Sequence, residues 1–446
     1  MSELNVPNRT IFCKDNLPVL RGINDSCIDL IYLDPPFNKN KVFSAPLGSS
    51  AEGTSFKDIF REEDLKEEWL QEIAEERPDL FHFLTAIKLV GKPYNFAYLA
   101  YMTIRLLECF RILKDTGSLY LHCDLTMSHY IKLMLDCIFG ENNFRNELVW
   151  CYKDGANSKS QYNKKHDNLL FYSKGHDYTF NYEAILRPLA ESTVKKYRHQ
   201  DSKGKYRLMG RGIVSSPIKS KRDVSPKWEQ MNPELVYRHY MKKGALPLDW
   251  LEMPPINQNS KERTKYPTQK PLALLDHIIR ASSNAGDTVL DPFCGCATTC
   301  IAAEKQSRCW IGIDISIKAY ELVQDRLRHE VDHPQKDFTK DRTQVNLRTD
   351  PPKRTDQGMD YQEKKFVYVI SHPKYPGEYK VGIAKDWQSR LNSYQTSDPD
   401  RQYKIEFYTE KPNFRETEKY IHAQFQNKHE WVQGNLPEII TAIKEH

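Results

Sequence analysis

The 446-residue chain lacks several signatures, and each absence removes a class of protein. No apolar run approaches the ~18 residues that a membrane-spanning helix needs. No CxxC pair occurs among the ten cysteines, so their spacing suggests neither a zinc site nor a disulfide framework, and they read as reduced packing residues. The opening stretch MSELNVPNRTIF is polar and lacks the apolar centre of a secretory signal, so the expectation is a cytoplasmic protein without a membrane partner. Overall charge is also modest, at +5. Its distribution is not. Between Lys153 and Lys243 there are 20 Lys and Arg against 9 Asp and Glu, a balance of +11, which leaves −6 for the remainder. Tyr, Trp, Asn and Gln are interleaved with those cations, the composition of a surface that faces a polyanion or of a solvated basic face.

Hydrophobic residues make up 39% of the chain and aromatics 11%, enough for real cores in two or three domains. In residues 1–150 strand-like and helix-like patterns alternate: TIFC, then CIDLIYL, a helical period from Tyr98 to Leu113, the strand SLYLHC, the helix SHYIKLMLDCIFG and the strand ELVWCY. An acidic, helix-rich stretch, residues 55–80, interrupts this order as either a lid or a solvated helix. The basic segment, 151–260, has weaker periodicity. Residues 261–330 resume the alternation, and they are expected to share one doubly wound parallel sheet with 1–150. Residues 331–365 are almost entirely polar and read as a linker. Residues 366–446 begin with FVYVI and read as a small α+β domain.

In a doubly wound sheet, ligands sit beyond the carboxyl ends of the strands. Three such ends carry unusual chemistry. After IYL come Asp34, Pro35, Pro36 and Phe37: a group that only accepts hydrogen bonds, a backbone frozen by two prolines, and an aromatic face. Two acceptors at fixed geometry suit an amino group and the ring suits a stacked base, although an X-Pro-Pro turn can simply end a strand. TVLDPFCGCATT puts Asp291 at a second strand end, followed by a small-residue turn that opens a helix. IGIDIS ends a third strand at Asp314, where a carboxylate can take both hydroxyls of a ribose. Together the last two indicate a nucleoside-bearing cofactor.

These motifs resemble those of the β-class amino-DNA methyltransferases, over roughly residues 8–330. The catalytic tetrapeptide (D/N/S)PP(Y/F/W) of that family is matched by Asp34-Pro35-Pro36-Phe37, and its cofactor loop DPFxGxGT by residues 291–298, with Ala297 where a second glycine is usual. The TQKP motif is matched by Thr268-Gln269-Lys270-Pro271. The resemblance implies a Rossmann-like methyltransferase sheet with an inserted target-recognition region at 151–260, between a catalytic half at 1–150 and a cofactor-binding half at 261–330. It also implies S-adenosyl-L-methionine as cofactor, double-stranded DNA as partner and base flipping. The implied catalytic group is Asp34, Pro35, Pro36 and Phe37. The implied cofactor contacts are Asp15, Gln269, Lys270, Asp291, Phe293, Gly295, Ala297, Thr298 and Asp314. Asp15 reads equally as a turn cap. The aspartate of DPPF leans toward N6 of adenine over N4 of cytosine, and the alanine keeps a DNA-binding protein with a decayed catalytic site open.

The tail resembles the GIY-YIG nuclease superfamily. Val367-Tyr368 stands for IY and Lys380-Val381-Gly382 for YIG, with Arg390, Tyr394, Glu418 and Glu430-Trp431 following. That likeness implies Tyr368, Arg390 and Glu418 as catalytic residues, with Glu418 holding Mg²⁺, and hence a fused restriction–modification protein. Lys380 in place of a tyrosine leaves a DNA-binding or partner-binding relic equally open.

Overall fold

Strands β1 (Thr10–Cys13) and β2 (Ile28–Leu33) open the fold, with the helix Asn16–Gly22 between them. Along β2, Ile31 and Leu33 enter one core while Leu30 and Tyr32 enter another on the opposite face. That is why this strand is apolar from Leu30 to Leu33 instead of alternating. The computed structural model describes residues 2–46, 49, 51–52, 55–90, 93–152, 158–211, 223–330, 344–356, 366–384, 387–411, 414–428 and 431–446.

After β2 the chain forms a hairpin, β3 (Lys41–Ser44) and β4 (Ser55–Asp58), so the start of the acidic stretch is extended. The helices Glu67–Glu76, Pro78–Leu89 and Pro93–Ile112 lead to β5 (Leu113–Cys123), and the helix Ser128–Phe139 leads to β6 (Phe144–Cys151) and β7 (His166–Ser173). The acidic helix is anchored by Trp69 and Ile73, both buried, so it is not simply solvated. A separate antiparallel sheet joins β8 (His199–Asp201), β9 (Gly204–Gly210) and β10 (Val236–Tyr240). The chain then returns through β11 (Trp250–Glu252), β12 (Thr288–Asp291), β13 (Cys309–Asp314) and β14 (Asn346–Arg348).

Among the described residues the main sheet has nine strands in the order β11-β6-β7-β5-β2-β12-β13-β1-β14. The two halves expected to share a sheet do so where Val289 and Leu290 of β12 lie beside Leu30 and Ile31 of β2. The expected all-parallel sheet is instead mixed, because β7 runs antiparallel to both β5 and β6. This also corrects the expected recognition region of 151–260: residues 166–173 within it are a core strand. Leu170 and Tyr172 enter one core and Leu169 and Phe171 the other, so both sides of the strand must be covered.

A second correction concerns 331–365. Residues 331–343 and 357–365 lie outside the described residues, but 344–356 form a strap along the sheet edge rather than a linker. There β14 pairs with β1, Thr355 N donates to Asn24 Oδ1 at 2.8 Å, and the Arg354 guanidinium meets Asp25 Oδ2 at 2.7 Å. The strap passes so close that a Cβ at Gly22 would lie 1.9 Å from the Pro352 carbonyl oxygen, which explains the glycine.

The C-terminal unit is an antiparallel sheet of β15 (Phe366–Ser371), β16 (Glu378–Ala384), β17 (Lys404–Glu410), β18 (Gln426–Lys428) and β19 (Trp431–Gln433), ordered β17-β15-β16-β19-β18. Val367, Val369, Val381, Ile421, Val432, Ile439 and Ile443 fill its core. The acidic helix touches it, with Gln71 Nε2 donating to the Ile383 carbonyl at 3.1 Å. Among the described residues no helix is long and apolar enough to cross a membrane.

If β7 is a core strand and not a DNA-contacting element, Leu169→Ala should lower unfolding free energy by about 2–5 kcal/mol in a denaturant titration. A change within about 0.5 kcal/mol would return the strand to the surface.

Candidate active site

Strands β2, β12, β13 and β1 are consecutive in the sheet, and the chain carries an aspartate at or just beyond each carboxyl end: Asp34, Asp291, Asp314 and Asp15. All four line one cavity of ≈ 530 Å³. Each carboxylate is answered differently. Asp15 caps the helix Asn16–Gly22 by accepting from Leu17 N at 2.9 Å, and it pairs at 3.0 Å with Arg105. The Arg105 guanidinium is itself fully buried, 3.5 Å from the Tyr101 ring centroid. The capping role of Asp15 is therefore real, and its exposed part still faces the cavity.

Asp291 is buried. It accepts from Thr299 Oγ1 at 2.6 Å and from Phe293 N at 3.0 Å, which ties strand end, loop and following helix together. Burial, together with the fields of Asp34 and Asp314, pushes its carboxyl up to about 7. Asp314 accepts from Gly295 N at 3.0 Å and Ser316 N at 2.8 Å, and burial pushes it up to about 6. Asp34 has a different partner: Lys270 Nζ lies 2.7 Å from Oδ1 and 2.6 Å from Oδ2.

Gln269 and Lys270, which the resemblance places at the cofactor, both line this cavity, and within it Lys270 turns toward the DPPF acid. Gln269 holds its own loop, with Oε1 accepting from Thr264 N and Oγ1 at 2.9 Å each and Nε2 donating to the Glu262 carbonyl at 2.8 Å. Its amide thus braces the turn that aims Lys270. Thr298 is likewise turned inward, to the Arg326 guanidinium at 3.0 Å. Phe293, Gly295 and Thr298 all line the cavity. Ala297 is fully buried in the left-handed conformation (φ 53°, ψ 40°) as N-cap of the helix Thr298–Lys305.

Residues that motif reading missed complete the DPPF end. Phe37 stacks on His122, ring centroids 5.7 Å apart and planes 21° from parallel. His122 is wedged between Tyr32 Oη at 3.1 Å and Asp167 Oδ2 at 3.2 Å. Burial and the Lys270 charge hold it below its ordinary value, against the opposing pull of Asp167. Asp58, at the end of the hairpin, is buried and accepts from Asn38 N at 2.5 Å, so the hairpin that lines the cavity also fixes the loop after Phe37. His122 was visible as the end of a strand and Asp58 as one acid among many, but their partners are distant in sequence.

In the C-terminal unit Tyr368 is buried, with its hydroxyl 3.0 Å from Tyr394 Oη and accepting from Arg390 Nε at 3.1 Å. Gly382 faces Tyr368 across the ladder, and a Cβ there would lie 2.6 Å from the phenol oxygen. Lys380 lies over the Tyr394 ring at 4.1 Å. Glu418 sits on the helix Phe414–Gln424, which packs on β15 and β16. Glu430 lies outside the described residues.

A family model described as DNA methylase matches residues 28–325. The chain belongs to that family. It is therefore a DNA methyltransferase. The type II methyltransferase M.EcaI of Enterobacter cloacae is 30% identical over 355 residues, covering 73% of this methylase and 70% of that protein. The DNA adenine methyltransferase YhdJ of Escherichia coli K12 is 28% identical over 321 residues, covering 72% and 82%. Among solved structures, the cytosine-N4-specific PvuII DNA methyltransferase is matched at a TM-score of 0.41 and 14% identity, covering 71% of this chain and 86% of that one. A second model, the T5orf172 domain, matches residues 365–445.

A left-handed alanine is strained by about 1–2 kcal/mol, whereas deleting one buried methyl costs about 0.8 kcal/mol. Ala297→Gly should therefore stabilise the methylase by roughly 0.5–1 kcal/mol in chemical denaturation; destabilisation would mean that the turn is unstrained.

Proposed function

We propose that the methylase transfers a methyl group to the exocyclic N6 of adenine in double-stranded DNA, with S-adenosyl-L-methionine as donor. The observation that carries this reading is the Asp34 carboxylate beside the Phe37 ring at one end of a cavity bounded elsewhere by Asp15, Asp314 and Ser316. The donor set fits the cofactor: carboxylates along the cavity suit ribose hydroxyls, an adenine amino group and a sulfonium cation. Asp15, Phe293, Gly295 and Asp314 would hold it, with Asp291 and Thr298 shaping the loop. When bound, it supplies the electrophilic methyl group.

The protein's own residues then act on the base. A flipped base stacks on Phe37, which His122 backs from beneath. Asp34 and the Pro35 carbonyl accept from its amino group, which localises the nitrogen lone pair for attack, and Pro36 holds that carbonyl in direction. Positioning and electrostatics account for the acceleration, without a covalent intermediate. The adenine preference rests on aspartate in the tetrapeptide and on YhdJ being named an adenine methyltransferase. The cations on and around β8, β9 and β10 would meet phosphates, which position the duplex but do not by themselves specify a sequence.

Labelled-methyl transfer to DNA should occur with the wild type and fall by at least about 1,000-fold in Asp34→Ala. Transfer that survives the substitution would remove Asp34 from the chemistry.

For the C-terminal unit, whose matching family model is the T5orf172 domain and not a GIY-YIG one, we propose an endonuclease in which Tyr368 assists a water, Arg390 offsets charge on the phosphate and Glu418 holds Mg²⁺. Support comes from the buried Tyr368–Tyr394–Arg390 cluster. Mg²⁺-dependent nicking of unmethylated DNA, lost in Glu418→Ala, is the expected result; no cleavage of DNA in any methylation state would overturn it.

A further inference from the structure

Lys270 and Asp34 are far apart in sequence, and the chain goes to some length to join them. The approach to Lys270 contains two non-glycine residues at left-handed φ, Lys265 at 61° and Thr268 at 63°, a conformation that is uncommon outside glycine and gathers at functional sites. The Gln269 amide braces this turn, and Glu262 ties it to the following helix by accepting from Leu272 N at 2.6 Å. The outcome is a lysine with 8% relative exposure, its Nζ bridging both oxygens of Asp34 and 5.3 Å from the Phe37 ring centroid. A cation therefore stands between the carboxylate and the ring face, where the proposed reaction needs the target amino group.

We propose that Lys270 is a positioning residue of methyl transfer: it occupies the amino clamp before the base arrives, keeps Asp34 ionised and aligned, and cedes one carboxylate oxygen to the incoming amino group. This rests on the adenine-clamp reading of Asp34.

The charges around Asp34 show why such a cation is needed. Asp291 and Asp314 share the cavity, and both carboxyls are already pushed up. Tyr32 and Tyr266 bring no compensating charge. His122 is buried, held below its ordinary value, and its Nε2 is turned to Asp167 instead of Asp34. Lys39 lies over the Phe37 ring at 4.9 Å but pairs with Asp124 at 3.6 Å. Among the described residues, Lys270 is thus the cation in direct contact with the clamp acid. Without it, Asp34 would keep the desolvation of an enclosed cavity and lose the ion pair that offsets it, which favours the neutral acid. A protonated Asp34 would present a donor where the amino group needs an acceptor, and it could not take the proton that the nitrogen loses on methylation. Lysine suits the task because its compact ammonium on a flexible stem can release one oxygen and keep the other. The planar fork of arginine would hold both.

Two measurements on the full-length protein test this. In DNA-free protein, NMR of isotope-labelled aspartate, assigned with Asp34→Asn, should show Asp34 titrating about 1–3 pH units higher in Lys270→Gln than in wild type. On a DNA duplex, the acidic limb of the kcat/KM profile should move up by a similar amount in Lys270→Gln. Lys270→Arg should keep the wild-type limb but lower kcat, and S-adenosylmethionine affinity should change less than about threefold in either variant. An unmoved Asp34 titration overturns the proposal. So does a tenfold loss of cofactor affinity with an unmoved acidic limb, which would return Lys270 to the cofactor. If the wild type methylates no DNA, the adenine reading falls, while the NMR arm still decides what Lys270 does.

Discussion

Carboxylates crowd the ends of neighbouring strands, and the architecture around the methylase's main cavity is an answer to that crowding. Paired strands lie about 4.8 Å apart, so acids at or just beyond the ends of four consecutive strands repel one another inside a cavity of reduced dielectric. Two of them are quenched by backbone amides and a hydroxyl and two by buried cations drawn from elsewhere in the fold, Arg105 and Lys270. The compensation is local to each acid, so each can have its own proton affinity. Asp291 and Asp314 are raised while their neighbours are ion-paired.

What could be read from sequence was whatever is local along the chain. The strand into DPPF, the DPFCGCATT loop and the acid after IGI are contiguous, and their chemistry follows from a few adjacent residues. Partnerships across the fold were not visible in this way. Nothing adjacent to Lys270 indicates that it meets Asp34, and its motif pointed to the cofactor. Asp58 looked like part of an acidic, helical stretch, yet it terminates a hairpin and holds the amide after Phe37. The run NLLFYS lies inside the basic segment 151–260, although four successive apolar residues that fill two cores are a core-strand signal. The strap at 344–356 escaped because its apolar content is too small to show a period, and polar groups hold it.

The C-terminal unit shows the same division. The Val-Gly pair in KVGIA is a weak motif, but Gly382 is required by the approach of the Tyr368 phenol across the ladder. Backbone geometry thereby places a buried phenol against Arg390, while Lys380, the departure from the pattern, lies over the neighbouring Tyr394 ring.

The strap has a consequence for distance. Asp356 is fixed to the sheet edge, its carboxylate accepting from the backbone of Asp25, and β15 begins at Phe366. A chain of that length spans at most roughly 35 Å when fully extended. Along B-form DNA, at about 3.4 Å per base pair, this is a ruler of about ten base pairs, close to one helical turn. The near edge of the second unit therefore cannot lie further than that from the strap's anchor while the anchor holds.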